Sequence, residues 1–396
     1  MKKLFLSFTV ILFLIGNQNL FAQDTININQ KVYKVGIFAP LYLDSVFTNS
    51  KLRSEKTLPK FIMPALDFVQ GAEIAFDTLS LYNERVEGFI YDTKSFSQPI
   101  PWLLQNRLLD SLDLIIGSVR DADFKQLSDF SLKRNIPFIS STYPNDGGVT
   151  NNPNLIIMNS TLKAHCEGIY SYILQNHGTD KIILIKKPGA QEEKIISYFK
   201  MLNEQEGKPL LNIQTVHIDS TITPYFLKMR LDSTKRTVII AGSLDESFAK
   251  TVTDACYAVR KNFPLILIGM PSWDGFKIFY AKNAYKDFPV HFTTPYYNSK
   301  TSWFNTILTN EYFSRYKAKP SDMAYKGFET TYMFTKLLLK YPTDFLSHLN
   351  DKSLNIFNEF NFRPVYFKKN AGTPDYQENK HLYVMRILNG ELTREW

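Results

Sequence analysis

The sequence predicts an α/β protein of two lobes with mostly parallel sheets, and three observations predict it. From residue 33 onward, short apolar runs rich in Val and Ile alternate with amphipathic stretches, the pattern of βαβ units. A break rich in turn formers at 143–154 interrupts that alternation, which then starts again. The chain has 396 residues, 44% of them hydrophobic and 14% aromatic, enough for two domain cores.

The first strand reads Val35-Gly36-Ile37-Phe38-Ala39 and stops at Pro40, and a long loop follows over 41–64. Phe68, Ala72, Ala75, Phe76 and Leu79 then recur at helical spacing, with Gln70, Glu73 and Asp77 opposite, so a helix packs on the sheet. Gly88-Phe89-Ile90-Tyr91 is a second strand, 102–112 a helix, Leu114-Ile115-Ile116-Gly117 a third strand, 121–133 a helix and Ile136-Pro137-Phe138-Ile139-Ser140 a fourth strand. After Leu155-Ile156-Ile157-Met158, Leu162, Cys166, Ile169, Tyr170, Ile173 and Leu174 form an apolar helical stripe.

Strands at 181–185, 213–217, 237–241 and 264–269 follow, with helices near 190–204, 223–231 and 246–261 between them. Past Phe292 the chain turns helical near 302–317 and 323–339, and strand-like runs at 362–367 and 382–386 close it. Two α/β lobes plus a helical return and a terminal strand pair do not make one continuous sheet. A chain that crosses between lobes accounts for them better.

Residues 1–22 read as an export signal. Lys2 and Lys3 precede a mainly apolar run of 13 residues from Leu4 to Gly16, and Ala22 stands before polar Gln23-Asp24. Such a run is short against the roughly 20 residues of a membrane span. Removing 22 of the 396 residues leaves 374 and lowers the net charge from +8 to +6, since only Lys2 and Lys3 are charged there. The remaining excess is scattered, which argues against nucleic-acid binding. The mature chain is expected to be soluble, in the periplasm or otherwise outside the cytoplasm.

The sequence carries no HExxH, Gly-x-Ser-x-Gly, Walker A or GxGxxG motif, and its six histidines are dispersed. No catalytic residue, metal site or cofactor is expected from it. Cys166 and Cys256 fall on apolar helical stripes, which favours two buried thiols over a disulfide.

Several signatures taken in order resemble the type I periplasmic binding proteins, the branched-chain amino-acid receptors of transporters. They are Val35 to Pro40, Gln70-Gly71-Ala72-Glu73-Ile74-Ala75, Leu114 to Gly117, Asn135-Ile136-Pro137-Phe138-Ile139-Ser140, Asn152-Pro153-Asn154, and the run from Lys319 to Phe328. The resemblance covers about residues 31–390. It implies two Rossmann-like lobes joined by three crossovers and closing on a small polar ligand, amino-acid-like or another small metabolite. It also implies an N-terminal lobe of 31–157 with 296–341, and a C-terminal lobe of 158–295 with 342–396.

In that family the loops after the third and fourth strands hold the ligand carboxylate, and the matching positions here are Ser118, Ser140, Ser141 and Thr142. Second-lobe contributors would be Ser243 and Asp245, then Ser272 and Trp273, with Tyr296 at a crossover. Trp273 and Tyr296 would either stack on an apolar or sugar-like ligand face or pack at the hinge. The chain departs from the family at Val119-Arg120-Asp121, where Val119 and Arg120 would crowd or recharge the site and Asp121 would cap a helix. The expected function is solute capture for a membrane permease or a sensor, by a monomer or weak dimer. The alternative is a ligand-free protein–protein module acting on envelope or cell-wall machinery. An envelope hydrolase lacks a visible nucleophile and base.

Overall fold

A strand with helices on both faces has no polar side, and β1 (Tyr33–Ala39) shows this: Val35, Ile37, Phe38 and Ala39 are all fully buried. The computed structural model describes residues 31–396 apart from 55–56, 83, 206, 219–220 and 369–371. The expected signal segment 1–22 lies outside the described residues. Among the described residues no helix is long and apolar enough to cross a membrane.

The first sheet holds β1, β2 (Val86–Asp92), β3 (Leu114–Gly117), β4 (Phe138–Ser140) and β5 (Leu155–Ile157). With β11 (Phe362–Val365) and β12 (Tyr376–Asn379) its order is β11-β12-β5-β4-β3-β1-β2, parallel except for β11 against β12. Alternation sorts its side chains to two faces. Ile37, Ile116, Ile139 and Ile156 meet α1 (Met63–Ser80) and α9 (Asp322–Lys340), whereas Phe38, Ile115, Phe138 and Leu155 meet α2 (Ile100–Gln105) and α3 (Asp121–Arg134).

Helices α1 and α9 pack backbone to backbone. A Cβ on Gly71 would lie 2.0 Å from the Ala324 carbonyl oxygen, and one on Gly327 would lie 1.9 Å from that of Phe68.

The second sheet is built the same way from β6 (Lys181–Lys186), β7 (Ile213–His217), β8 (Thr237–Ala241), β9 (Leu265–Ile268) and β10 (Val290–Thr294). Antiparallel β13 (Tyr383–Leu388) and β14 (Glu391–Arg394) complete the order β7-β6-β8-β9-β10-β13-β14. Helices α4 (Leu162–Asn176), α5 (Ala190–Asn203), α6 (Pro224–Lys228) and α7 (Glu246–Val259) flank it. Thr161 and Asp245 cap α4 and α7 by accepting the Ala164 and Phe248 N–H groups. Helix α8 (Trp303–Tyr316) returns the chain to α9.

The chain changes sheet three times: between β5 and α4, after β10, and between β12 and β13. The first and third passages lie side by side, with the Ser160 hydroxyl donating to the Asn379 carbonyl (2.7 Å) and the Thr161 N–H to Glu378 (2.8 Å).

Three details differ from expectation. Residues 342–396 were assigned whole to the C-terminal lobe, but β11 and β12 belong to the first sheet. Gln377 and Glu378 register beside Ile156 and Ile157, and Phe362 and Tyr376 fill that lobe's cores. The helix expected over 102–112 spans only Ile100–Gln105 and gives way to turns, with Arg107 left-handed at φ 57°. The 41–64 segment holds a one-turn helix, Leu43–Val46, and a small hairpin, held down where Asp92 accepts the N–H groups of Leu41, Tyr42 and Leu43.

Candidate functional site

Parallel strands deliver their C-terminal ends, and the N-termini of the helices that follow, to one edge of a sheet. Both sheets turn such an edge to a cleft of about 1100 Å³. The first lobe contributes Tyr143 to Asp146, Lys326, Phe367 and Tyr376. The second contributes the first turns of α5 together with Leu244, Ser272 and Asp274. The crossovers contribute Asn159 to Lys163 and Thr293 to Tyr296. An adjoining space of about 670 Å³ shares Asp274, Thr294, Tyr296 and Lys326 and reaches Glu329 and Asn358.

Of the nine site residues inferred from sequence, two line the cleft: Ser272, whose hydroxyl donates to the Leu244 carbonyl at 2.9 Å, and Tyr296. The Tyr296 hydroxyl donates to the Ser141 carbonyl at 2.7 Å, and its ring lies 4.2 Å from the Lys326 ammonium. Burial drives the Tyr296 pKa far up, so the phenol stays a donor. The other first-lobe positions are closed. Ser118 pairs with the Thr142 hydroxyl at 3.1 Å, Asn159 donates to the Thr142 carbonyl at 2.7 Å, and Ser140 and Ser141 are fully buried with hydroxyls that find no partner.

The second-lobe trio is engaged in structure. Ser243 donates to buried Glu192 at 2.6 Å. Asp245 caps α7 through Phe248, and the Ser247 hydroxyl is the largest cause drawing its carboxyl down to about 2. Trp273, expected to stack on a ligand or pack at the hinge, is fully buried against Phe279, its indole N–H reaching the Ser243 carbonyl at 3.3 Å.

At the unusual 119–121 loop, Val119 packs into the first-lobe core and Arg120 points to solvent, so neither recharges the cleft. Asp121 starts α3 at φ 54° and makes no cap; it accepts instead from the Tyr143 hydroxyl at 3.3 Å.

The polar groups that do open to the cleft went unread in the sequence. Lys163 lies in the first turn of α4, and Lys194 and Lys326 lie one turn into α5 and α9. None of the three makes a hydrogen bond or ion pair among the described residues. Burial pulls Lys326 below the usual ammonium range, outweighing the upward pull of Asp322, Asp274 and Glu329. His165 is buried, shares Nδ1 with the Thr293 hydroxyl at 2.8 Å, and is pushed by desolvation down to about 3, so it adds no charge at neutral pH.

Position near the start of a predicted helix is the one signal that the sequence offers for Lys163, Lys194 and Lys326. The two cysteines are free and buried, their thiols pushed up by desolvation, and among the described residues no cluster of His, Cys, Asp or Glu could hold a metal ion.

No family model and no curated protein matches the chain. Solved structures do. A putative branched-chain amino acid ABC transporter from Rhodospirillum rubrum aligns at 11% identity over 92% of this chain and 100% of that one, with a TM-score of 0.64. A branched chain amino acid ABC transporter periplasmic ligand-binding protein from Burkholderia xenovorans aligns at 11%, over 92% and 94%, with a TM-score of 0.58. An ABC transporter substrate-binding protein from Desulfitobacterium hafniense, in complex with Leu, aligns at 10%, over 92% and 99%, with a TM-score of 0.54. At such identities the likeness is one of fold.

Proposed function

Since this chain has the two-lobed fold of the type I periplasmic binding proteins, we propose that it is an exported, non-enzymatic solute-binding protein. It captures a small polar ligand between its lobes and presents it to a membrane permease or a sensor. The observation that carries this reading is the cleft of about 1100 Å³, walled by both lobes and by the crossovers, into which unpartnered side chains open. A ligand touching both walls stabilises the closed form by the free energy of contacts the open form cannot make, and closure is a hinge motion about the crossovers. Thermal-shift and calorimetric titration of the mature chain against amino acids and small metabolites tests it. The expected result is saturable binding to at least one compound, with a smaller radius of gyration in small-angle scattering; a library without a binder sinks the reading.

A second reading, a ligand-free protein–protein module on envelope machinery, is favoured by one observation. The 41–64 segment and its neighbour at 95–96 expose Leu43, Phe61 and Phe96, the last two at 60% and 73%. That reading predicts no small-molecule binder and a loss of partner capture in a Phe61→Ser, Phe96→Ser double variant.

A further inference from the structure

The cleft's charges are unequally engaged. Its two carboxylates already have donors: Asp146 accepts from the Gly148 N–H (2.9 Å) and the Tyr376 hydroxyl (3.2 Å), and Asp274 accepts from the Tyr280 hydroxyl (3.1 Å). Its three ammonium groups, on Lys163, Lys194 and Lys326, have no hydrogen-bond acceptor and no ion pair among the described residues. Lys326 is the most constrained of them, set over the Tyr296 ring at the junction of the two cavities and paying a desolvation cost that a ligand anion would offset. Tyr198 and Met201 of α5 and Phe367 of the first lobe offer apolar surface to the same cleft.

We infer that the cleft selects an organic anion without an ammonium group, its acidic end held by Lys326 and its apolar body against the side chains of Tyr198, Met201 and Phe367 that line the same cleft. This rests on the solute-binding reading and narrows it. In this cleft a zwitterionic amino acid would bring an ammonium group to Asp146 and Asp274, which protein donors already touch, and to like charges, while Asp322, which lines only the adjoining space, already acts on Lys326 itself.

Three probes with one phenylethyl body separate the cases: 3-phenylpropionate, phenylalanine and 2-phenylethylamine, titrated calorimetrically into the mature chain. The expected order is 3-phenylpropionate tighter than phenylalanine by about 10-fold or more, and no uptake of the amine. Binding of the acid should weaken as salt rises. Lys326→Met should weaken 3-phenylpropionate by about 10-fold or more, while Lys326→Arg, which keeps the charge, holds it within about 3-fold. Lys194→Met, at an exposed site that cannot unfold the lobe, should weaken it by about 3-fold.

Phenylalanine or the amine binding as tightly as the acid, or an acid affinity indifferent to Lys326→Met in a folded variant, overturns the inference and leaves solute binding standing. Uptake of none of the three overturns it too. The solute-binding reading then falls only if the wider metabolite library also yields nothing.

Discussion

The strand ends and the helices around the cleft treat their polar chemistry in opposite ways. On the first-lobe strand ends, Ser118, Ser140, Ser141 and Thr142 are turned inward and Tyr296 takes the Ser141 carbonyl for itself. On helices α4, α5 and α9, three lysines open to the cleft with no hydrogen-bond or ion-pair partner among the described residues. A strand end is held on both sides by its neighbours, so its small side chains are readily buried away from the cleft, Ser140 and Ser141 even without a partner for their hydroxyls. A long side chain one turn into a helix projects past the backbone and stays available. The ammonium groups that open to this cleft therefore sit on helices and not at the strand ends.

The sharpest way to break that contrast is to move the platform under Lys326. Gly327 follows it in α9 and fixes the helix on α1 with no room for a side chain. Gly327→Val must push the helices apart, and a cost of about 3 kcal/mol or more is expected from overpacking against backbone atoms. Urea denaturation of the variant measures it. A loss under about 1 kcal/mol would mean α9 can shift freely, and with it Lys326.

Next in size is Glu329, one turn further along α9. It is fully buried and accepts the N–H groups of Phe357 and Asn358 at 2.9 and 2.8 Å and the Asn358 amide at 2.6 Å, yet burial outweighs these bonds and pushes it from 4.5 up to about 6. An acid whose folded pKa is raised binds more protons folded than unfolded. Its contribution is therefore present below pH 4.5 and is lost as pH rises from 4.5 through 6. The loss should reach about 2 kcal/mol and then level off. Stability measured from pH 4 to 8 should show this step in the native chain and not in Glu329→Gln. An identical step in both would assign it elsewhere.

The fold was legible because a parallel strand buried on both faces and a helix packed against it leave periods of two and 3.6 that depend on local sequence alone. Two elements escaped for physical reasons. Strand β12 is mostly polar, Tyr376-Gln377-Glu378-Asn379, and becomes a strand by pairing beside β5 far away in the chain. Residues 106–112 keep an apolar helical look, but Leu109 and Leu112 reach the core from turns. The site was less legible, since whether a serine hydroxyl faces a ligand or its own neighbour depends on where Tyr296 and Glu192 arrive from distant crossovers and helices.

Tyr296→Phe tests the closed wall directly. Removing the hydroxyl leaves the Ser141 carbonyl without this donor, and a destabilisation of about 1–2 kcal/mol is expected from the denaturant midpoint. If the tie is what shuts the first-lobe positions, Phe at 296 should also quicken hydrogen exchange in the loop at 140–142. Unchanged exchange there would make Tyr296 a bystander.

The smallest expected effect separates a structural carboxylate from a ligand-binding one on the second lobe. Asp245 stands where a strand-end ligand residue was expected, but its Oδ1 accepts the Phe248 N–H at 2.8 Å as the cap of α7. Asp245→Ala should cost about 1 kcal/mol, the usual worth of a cap, and Asp245→Asn should recover most of it because an amide oxygen caps nearly as well. Ligand affinity, once a binder is in hand, should stay within about 2-fold in Asp245→Asn, since the helix start is kept. A folded Asp245→Asn variant whose stability is intact but whose affinity falls 10-fold would place this carboxylate in the cleft after all, and would return the strand ends to the working surface.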